Sequence, residues 1–129
     1  MLTHVHHVNL LVRDLAAAIA AWQRLGVTGI IEERLPGRGV ETARFRVGET
    51  WIVLVMPTDP IGVPGRHLAA HGEGLFLLSL GVAALDGQDT AGLALSPVRQ
   101  GLADWQVADL DPVEFHGGTL QLCAERGGR

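Results

Sequence analysis

Polar and apolar residues alternate along His4–Val12 (HVHHVNLLV), and a two-residue period predicts a strand. Val8, Leu10 and Val12 fall on one face, with His7, Asn9 and Leu11 on the other. His4 and His6 share a face opposite His7, where an i, i+2 pair usually reads as a solvated or edge pair. The period then changes. Asp14 suits a helix N-cap, and the following LAAAIAAWQRL has strong helix propensity. Leu15, Ala18, Ile19, Trp22 and Leu25 form its apolar stripe, and Gly26 supplies the stop. Strands are predicted over Thr28–Leu35, Val40–Val47 and Thr50–Met56, with Gly48-Glu49 as a tight hairpin turn.

The stretch Pro57–Gly65 holds three prolines and two glycines and reads as a linker. Arg66–His71 suits a short helical turn. A second run follows: a buried strand over Gly74–Val82, a short weak helix over Ala83–Ala91, and strands over Leu93–Gln100, Ala103–Ala108 and Thr119–Ala124. The element order βαβββ therefore occurs twice, at a separation of about 70 residues. Val8–Val12 aligns with Leu78–Val82, and Leu15 with Leu85. The expected organisation is one α+β domain over 1–129, with module one at about 1–57, a linker at about 58–65 and module two at about 66–125.

Composition removes several function classes. Of the 129 residues 47% are hydrophobic, yet no apolar run approaches the roughly 20 residues that cross a bilayer. The start, Met1-Leu2-Thr3-His4, lacks the pattern of a secretory signal, so a cytoplasmic protein without membrane contact is expected. The formal net charge is −4 and the basic residues are scattered, which argues against nucleic acid as a partner. The single Cys123 can make neither an internal disulfide nor a cysteine-based zinc site on its own. Tyrosine is absent, which removes one common acid/base group.

Four segments resemble the vicinal-oxygen-chelate (glyoxalase/bleomycin-resistance/dioxygenase) superfamily. HHVNLLVRDLAAAIAAWQRLGV is similar to its opening strand and helix, and GVETARFRVGETWIVLVMPTDP to the hairpin of methylmalonyl-CoA epimerase-like members. HGEGLFLLSLGV resembles the start of the second module, and HGGTLQLCAE the last strand. The resemblance implies two βαβββ modules whose curved mixed sheets surround a small-molecule cavity, often within a homodimer. It also implies a divalent metal held by four inward residues. Carried onto this chain, those positions fall on His7, Val53, Leu77 and Gln121. Val and Leu have no lone pair to give, so no metal is expected beyond a weakly held divalent ion at His7. One base position of the epimerases coincides with Gln121. The other falls near Glu41 or Thr42.

The alternation places His7, Asn9, Trp51, Val53, Val55, Leu77, Ser79, Thr119, Gln121 and Cys123 on the cavity face, an apolar lining with a few polar groups. His7, Gln121 and Asn9 are the candidate catalytic residues. Trp51, Val53, Leu77, Ser79 and Cys123 are candidate substrate contacts. His7 could move a proton near neutral pH, or be a leftover sheet histidine. Asn9 and Gln121 could hold a carbonyl oxygen or be structural amides. Trp51 could stack on a flat ligand or belong to a core or interface. Cys123 is by default a buried thiol. A site rebuilt from His7, His116 and Glu114 is a remote alternative, and Glu73 reads as a solvated loop carboxylate. Three functions follow: a metal-independent isomerase or lyase for a small carbonyl compound or thioester, a metal-free small-molecule sequestering protein, or a scaffold dimer with a lost site.

Overall fold

A computed structural model describes residues 1–85 and 94–125. The elements are β1 (Leu2–Leu11), α1 (Leu15–Gln23), β2 (Ile31–Leu35), β3 (Val40–Val47), β4 (Thr50–Pro57), α2 (Val63–His71), β5 (Gly74–Val82), β6 (Arg99–Gln100), β7 (Trp105–Asp109) and β8 (Leu120–Glu125). The class is α+β, as expected. The chain forms two compact units, Val8–Phe76 and Met1–His7 with Leu77–Arg129, so β1 passes from one to the other after His7.

In the unit Val8–Phe76 the strands lie in the order β2-β3-β4-β1. The antiparallel ladder pairs Ala43 with Leu54 and Phe45 with Ile52, and directly opposed residues share a face. That face packs on α1 through Leu15, Ala18, Ile19 and Trp22, and Leu10, Val12 and Met56 join the cluster. Asp14 caps α1 as expected, its Oδ1 accepting the Ala17 backbone N–H at 3.1 Å. The expected stripe ends one turn early. Leu25 lies beyond the last helical residue and is 75% exposed. Strand β2 begins at Ile31 rather than Thr28, after Gly29 in the left-handed region at φ 68°. The supposed linker is partly helix. Pro64 sits in the first turn of α2, where its missing N–H costs nothing and its fixed φ fits.

In the other unit the order is β1-β5-β8-β7-β6, with β5 parallel to β8 and the β8–β7 and β7–β6 ladders antiparallel. Its core holds Val82, Leu85, Ala108, Leu110, Leu122 and Ala124. The helix expected over Ala83–Ala91 falls outside the described residues apart from 83–85, which form a bend. The strand expected over Leu93–Gln100 is interrupted. Leu95 makes an isolated bridge to Leu110 and β6 covers only Arg99–Gln100, because Pro97 cannot donate to a ladder. Among the described residues no helix is long and apolar enough to cross a membrane.

Phe45 is 1% exposed and its ring lies 5.1 Å from that of Trp22. Phe45→Ala is expected to cost about 3–5 kcal/mol, whereas Leu25→Ala should stay within about 0.5 kcal/mol. Urea unfolding midpoints of the two variants check this; equal shifts would refute the core assignment.

Candidate functional site

The faces of the second unit are fixed by its register. Leu80, Val82, Ala108, Leu110, Leu122 and Ala124 occupy the core side. Ser79 stands opposite Gln121, Gly81 opposite Cys123, Asp109 opposite Gln121, and Trp105 opposite Glu125. These residues alternate with the core residues, so they share the other face. The N-terminal half of β1 lays its histidines on that face. A Cβ built on Gly81 would meet the His4 ring at 2.7 Å, so only glycine lets the ring lie there.

Strict alternation would send His6 and His7 to opposite sides. The structure instead buries both, at 1% and 4% exposure. Their Nδ1 atoms are 2.9 Å apart, and both rings touch Trp105, His6 edge-on at 4.6 Å and His7 stacked at 4.8 Å. The two side chains therefore meet on one side of β1 instead of alternating across it. His6, expected on a solvated or edge face, is a core group of the site. Its Nε2 lies 2.9 Å from Glu125 Oε2.

A carboxylate only accepts, so His6 Nε2–H donates to Glu125. The Nδ1–Nδ1 bond then has two arrangements. With His6 neutral, its Nδ1 lone pair accepts from His7 Nδ1–H and the remaining lone pair of His7 is on Nε2; with His6 protonated against Glu125, His6 Nδ1–H donates to His7 Nδ1. Burial, reinforced by the neighbouring His6, lowers the His7 pKa from 6.5 to about 3. His7 is thus a neutral imidazole with one basic nitrogen.

Cys123 is fully buried beside this pair. His6, His7 and Cys123 can each offer a ligand atom, all within 4.8 Å of one another. Burial pushes the thiol from 9.0 up to about 12, with the charge of Glu125 adding to it and the Ser79 hydroxyl opposing it. Ser79 Oγ donates to Gln121 Oε1 at 2.9 Å, and Gln121 Nε2 makes a long 3.4 Å contact to Asp109 Oδ1. Arg99 donates to the same Asp109 oxygen at 3.0 Å.

The register thus brings four predicted residues, His7, Ser79, Gln121 and Cys123, onto one sheet face, with Leu77 half-buried in alternation with Ser79. Trp105, Glu125 and the burial of His6 escaped the sequence reading. Glu125 was legible, since it lies two residues beyond Cys123 on the same strand and hence on the same face.

Asn9, Trp51 and Val53 belong to the unit Val8–Phe76. There the face opposite α1 carries Thr42 with Val55, Arg44 with Val53 and Arg46 with Trp51. Val53 is fully buried, and Asn9 Oδ1 is buried without a partner. The Trp51 ring has the guanidinium groups of Arg44 and Arg46 over it, at 5.6 and 5.2 Å. Arg44 pairs with Glu33 at 2.7 Å. Glu41 and Thr42 part company: Thr42 is buried on the Val53 face, whereas Glu41 is on the α1 side. Glu41 lines a cavity of about 450 Å³ with Asp14, Leu15, Ala16, Ile19, Glu32 and Met56. Of the residues singled out from the sequence for the site, Glu41, one of the two possible base positions, lines that cavity.

Residues 6–108 match the family model described as Glyoxalase/Bleomycin resistance protein/Dioxygenase superfamily. The chain belongs to this superfamily. Among solved structures it is similar to a variant of Streptomyces coelicolor methylmalonyl-CoA epimerase in complex with 2-nitronate-propionyl-CoA, with TM-score 0.91 and 24% identity over 100% of this chain and 99% of that one. It is similar to methylmalonyl-CoA epimerase from Mycobacterium tuberculosis, with TM-score 0.87 and 26% identity over 96% and 89%. A further neighbour is a hypothetical protein from Bacillus halodurans, with TM-score 0.85 and 22% identity over 95% and 94%. No sequence among proteins of curated function matches the chain.

The metal implied by the superfamily does not fit its usual positions here. Val53 and Leu77 have no donor atom, and Gln121 offers only a neutral amide oxygen that already accepts from the Ser79 hydroxyl. The rebuilt set with His116 and Glu114 does not fit either. Both are exposed, in a turn where His116 takes φ 63°. Glu73 is an exposed loop carboxylate, as expected, and accepts the Arg13 backbone N–H at 2.7 Å.

The two shifted groups predict a two-sided stability profile. The folded pKa of His7 is below its unfolded value, so its contribution is full above 6.5 and is lost as pH falls toward about 3. The folded pKa of Cys123 is above its unfolded value, so its contribution is full below 9.0 and is lost as pH rises toward about 12. Urea midpoints across pH should show His7→Gln flattening the acid limb and Cys123→Ser the alkaline limb. Unaltered limbs in both variants would contradict the assignment.

Proposed function

We propose that this chain is a metal-independent isomerase that moves a proton on the carbon beside the carbonyl of a small carbonyl compound or thioester, with His7 as the base. The observation that carries this reading is the hydrogen-bonded line Glu125–His6–His7, which with His6 neutral leaves His7 Nε2 as the accepting lone pair. Burial keeps His7 unprotonated at neutral pH. Burial alone would also make it a weak base. The line offsets this, because a proton arriving at Nε2 lets the Nδ1 proton shift toward His6 and its charge be shared with Glu125, the orienting logic of hydrogen-bonded catalytic triads. Gln121 has one amide hydrogen to spare and a long second contact, so it can hydrogen-bond the oxygen on which negative charge develops. Structural neighbours named as methylmalonyl-CoA epimerases, one in complex with methylmalonyl-CoA, support a thioester and favour isomerase over lyase chemistry.

A second reading, a metal-free sequestering module, is favoured by the aliphatic side chains at two of the four donor positions, Val53 and Leu77. One experiment separates the two. A panel of short acyl thioesters and 2-oxo compounds is incubated with the protein in deuterium oxide and followed by NMR. Isomerase chemistry predicts exchange of the proton next to the carbonyl. His7→Ala should slow it about 10²–10⁴-fold and Glu125→Gln less, with both variants folded by circular dichroism. Binding detected by Trp fluorescence with no exchange would select the sequestering reading and remove His7 as a base.

A further inference from the structure

We propose that His6 Nδ1, His7 Nδ1 and Cys123 Sγ form a binding site for a thiophilic transition-metal ion, zinc(II) or copper(I), on a donor set different from the one the superfamily uses. Only His7 is common to both sets. The donors converge: the two Nδ1 atoms lie 2.9 Å apart, and one ring nitrogen of each histidine and Cys123 Sγ all lie within 4.8 Å of one another. Two nitrogens on one tetrahedral zinc lie about 3.3 Å apart, given metal–nitrogen bonds near 2.0 Å, so the imidazoles need to open by only about half an ångström. Two imidazoles and a thiolate are a soft, three-coordinate set, suited to these ions over calcium or magnesium. The surroundings are those of a supported site. His6 Nε2 is held by Glu125, which raises the donor strength of Nδ1, and Trp105 packs on both rings. All three donors are buried, so a bound ion is shielded from water.

Loading the site from the arrangement with neutral His6 moves two hydrogens. The Cys123 S–H ionises and its proton leaves to solvent. The hydrogen shared between the two Nδ1 atoms moves from His7 Nδ1 to His7 Nε2, so that both Nδ1 lone pairs reach the metal. One proton is released per ion. His7 Nε2 becomes a donor, so a loaded site has no base and any proton-transfer activity is shut off.

Cobalt(II) is the probe, because a thiolate bound to it gives a near-ultraviolet charge-transfer band. Cys123 is the only cysteine in the chain, so such a band on the unmodified protein reports this residue alone. The expected result, after equilibration of tag-free protein, is one cobalt per chain with that band and displacement by zinc. The release of one proton per ion is expected in weakly buffered indicator, and loss of the band in Cys123→Ser and His6→Ala. His67→Ala serves as control, since His67 and His71 on α2 form a second close pair with ring centroids 4.5 Å apart. Cobalt bound without the charge-transfer band, binding lost in His67→Ala instead, or no retention of cobalt and none of copper(I) would each overturn the site. These readouts do not use turnover, so they stand or fall independently of the isomerase reading.

Discussion

The dominant constraint is the concealment of two adjacent imidazoles and a thiol inside a sheet without leaving a charge there. A buried polar group is costly unless hydrogen-bonded, and a buried charge more so. His6 meets the condition by bridging Glu125 and His7. His7 meets it by remaining neutral far below its ordinary pKa, and Cys123 by remaining a thiol far above its own. His7 and Cys123 therefore add no charge to the cluster, and Glu125, the partner of His6, is only partly buried and keeps some solvation. Burial disfavours the charged form of each, with His6 acting against a charge on His7 and Glu125 against one on Cys123.

Strand register makes that concealment possible. In the unit holding the cluster, β8 places Leu122 and Ala124 on the core side and Gln121, Cys123 and Glu125 on the other. A slip of one residue would put the three polar groups into the hydrocarbon core and the leucine against the imidazoles. The parallel pairing of β5 with β8 and the antiparallel pairing of β7 with β8 hold the register from both sides. Trp105 reaches the histidines only because its partner is Glu125. The cost of misplacing either strand thus couples the polar line to the apolar core behind it.

Much of this was legible from residue pattern. The bounds of Val40–Val47 and Gly74–Val82 are legible in the sequence, because the first is an alternating run bracketed by Gly39 and Gly48 and the second an apolar run opened by Gly74. His7, Ser79, Gln121 and Cys123 were placed on one face by period two alone. The failures have local causes. The meeting of His6 and His7 on one side of β1 is announced by no residue type there, so His6 was sent to the wrong side. Leu25 kept the helical spacing but lay past the end of the helix. Helix α2 begins inside a Pro/Gly-rich stretch because Pro64 is tolerated in a first turn. Glu41 and Thr42 differ by one position, which spacing cannot resolve and the β3–β4 register does. Trp105 read as an ordinary strand residue. Its contacts are long-range, and nothing within its own strand identifies them.

The chemistry of the cluster turns on the position of one hydrogen. With that hydrogen between the two Nδ1 atoms, His6 and His7 form a line that ends in a basic Nε2. With it on His7 Nε2, the two Nδ1 lone pairs face the thiol as a ligand set. The same atoms cannot serve both arrangements, because each Nδ1 has one lone pair or one hydrogen. The 2.9 Å separation of the two nitrogens is close to the first arrangement and short of the second. Free of metal, the geometry favours the proton line. The high pKa of Cys123 acts in the same direction, since an ion must displace a tightly held proton before it gains the thiolate. An ion bound at these three donors would therefore compete directly with the base proposed at His7.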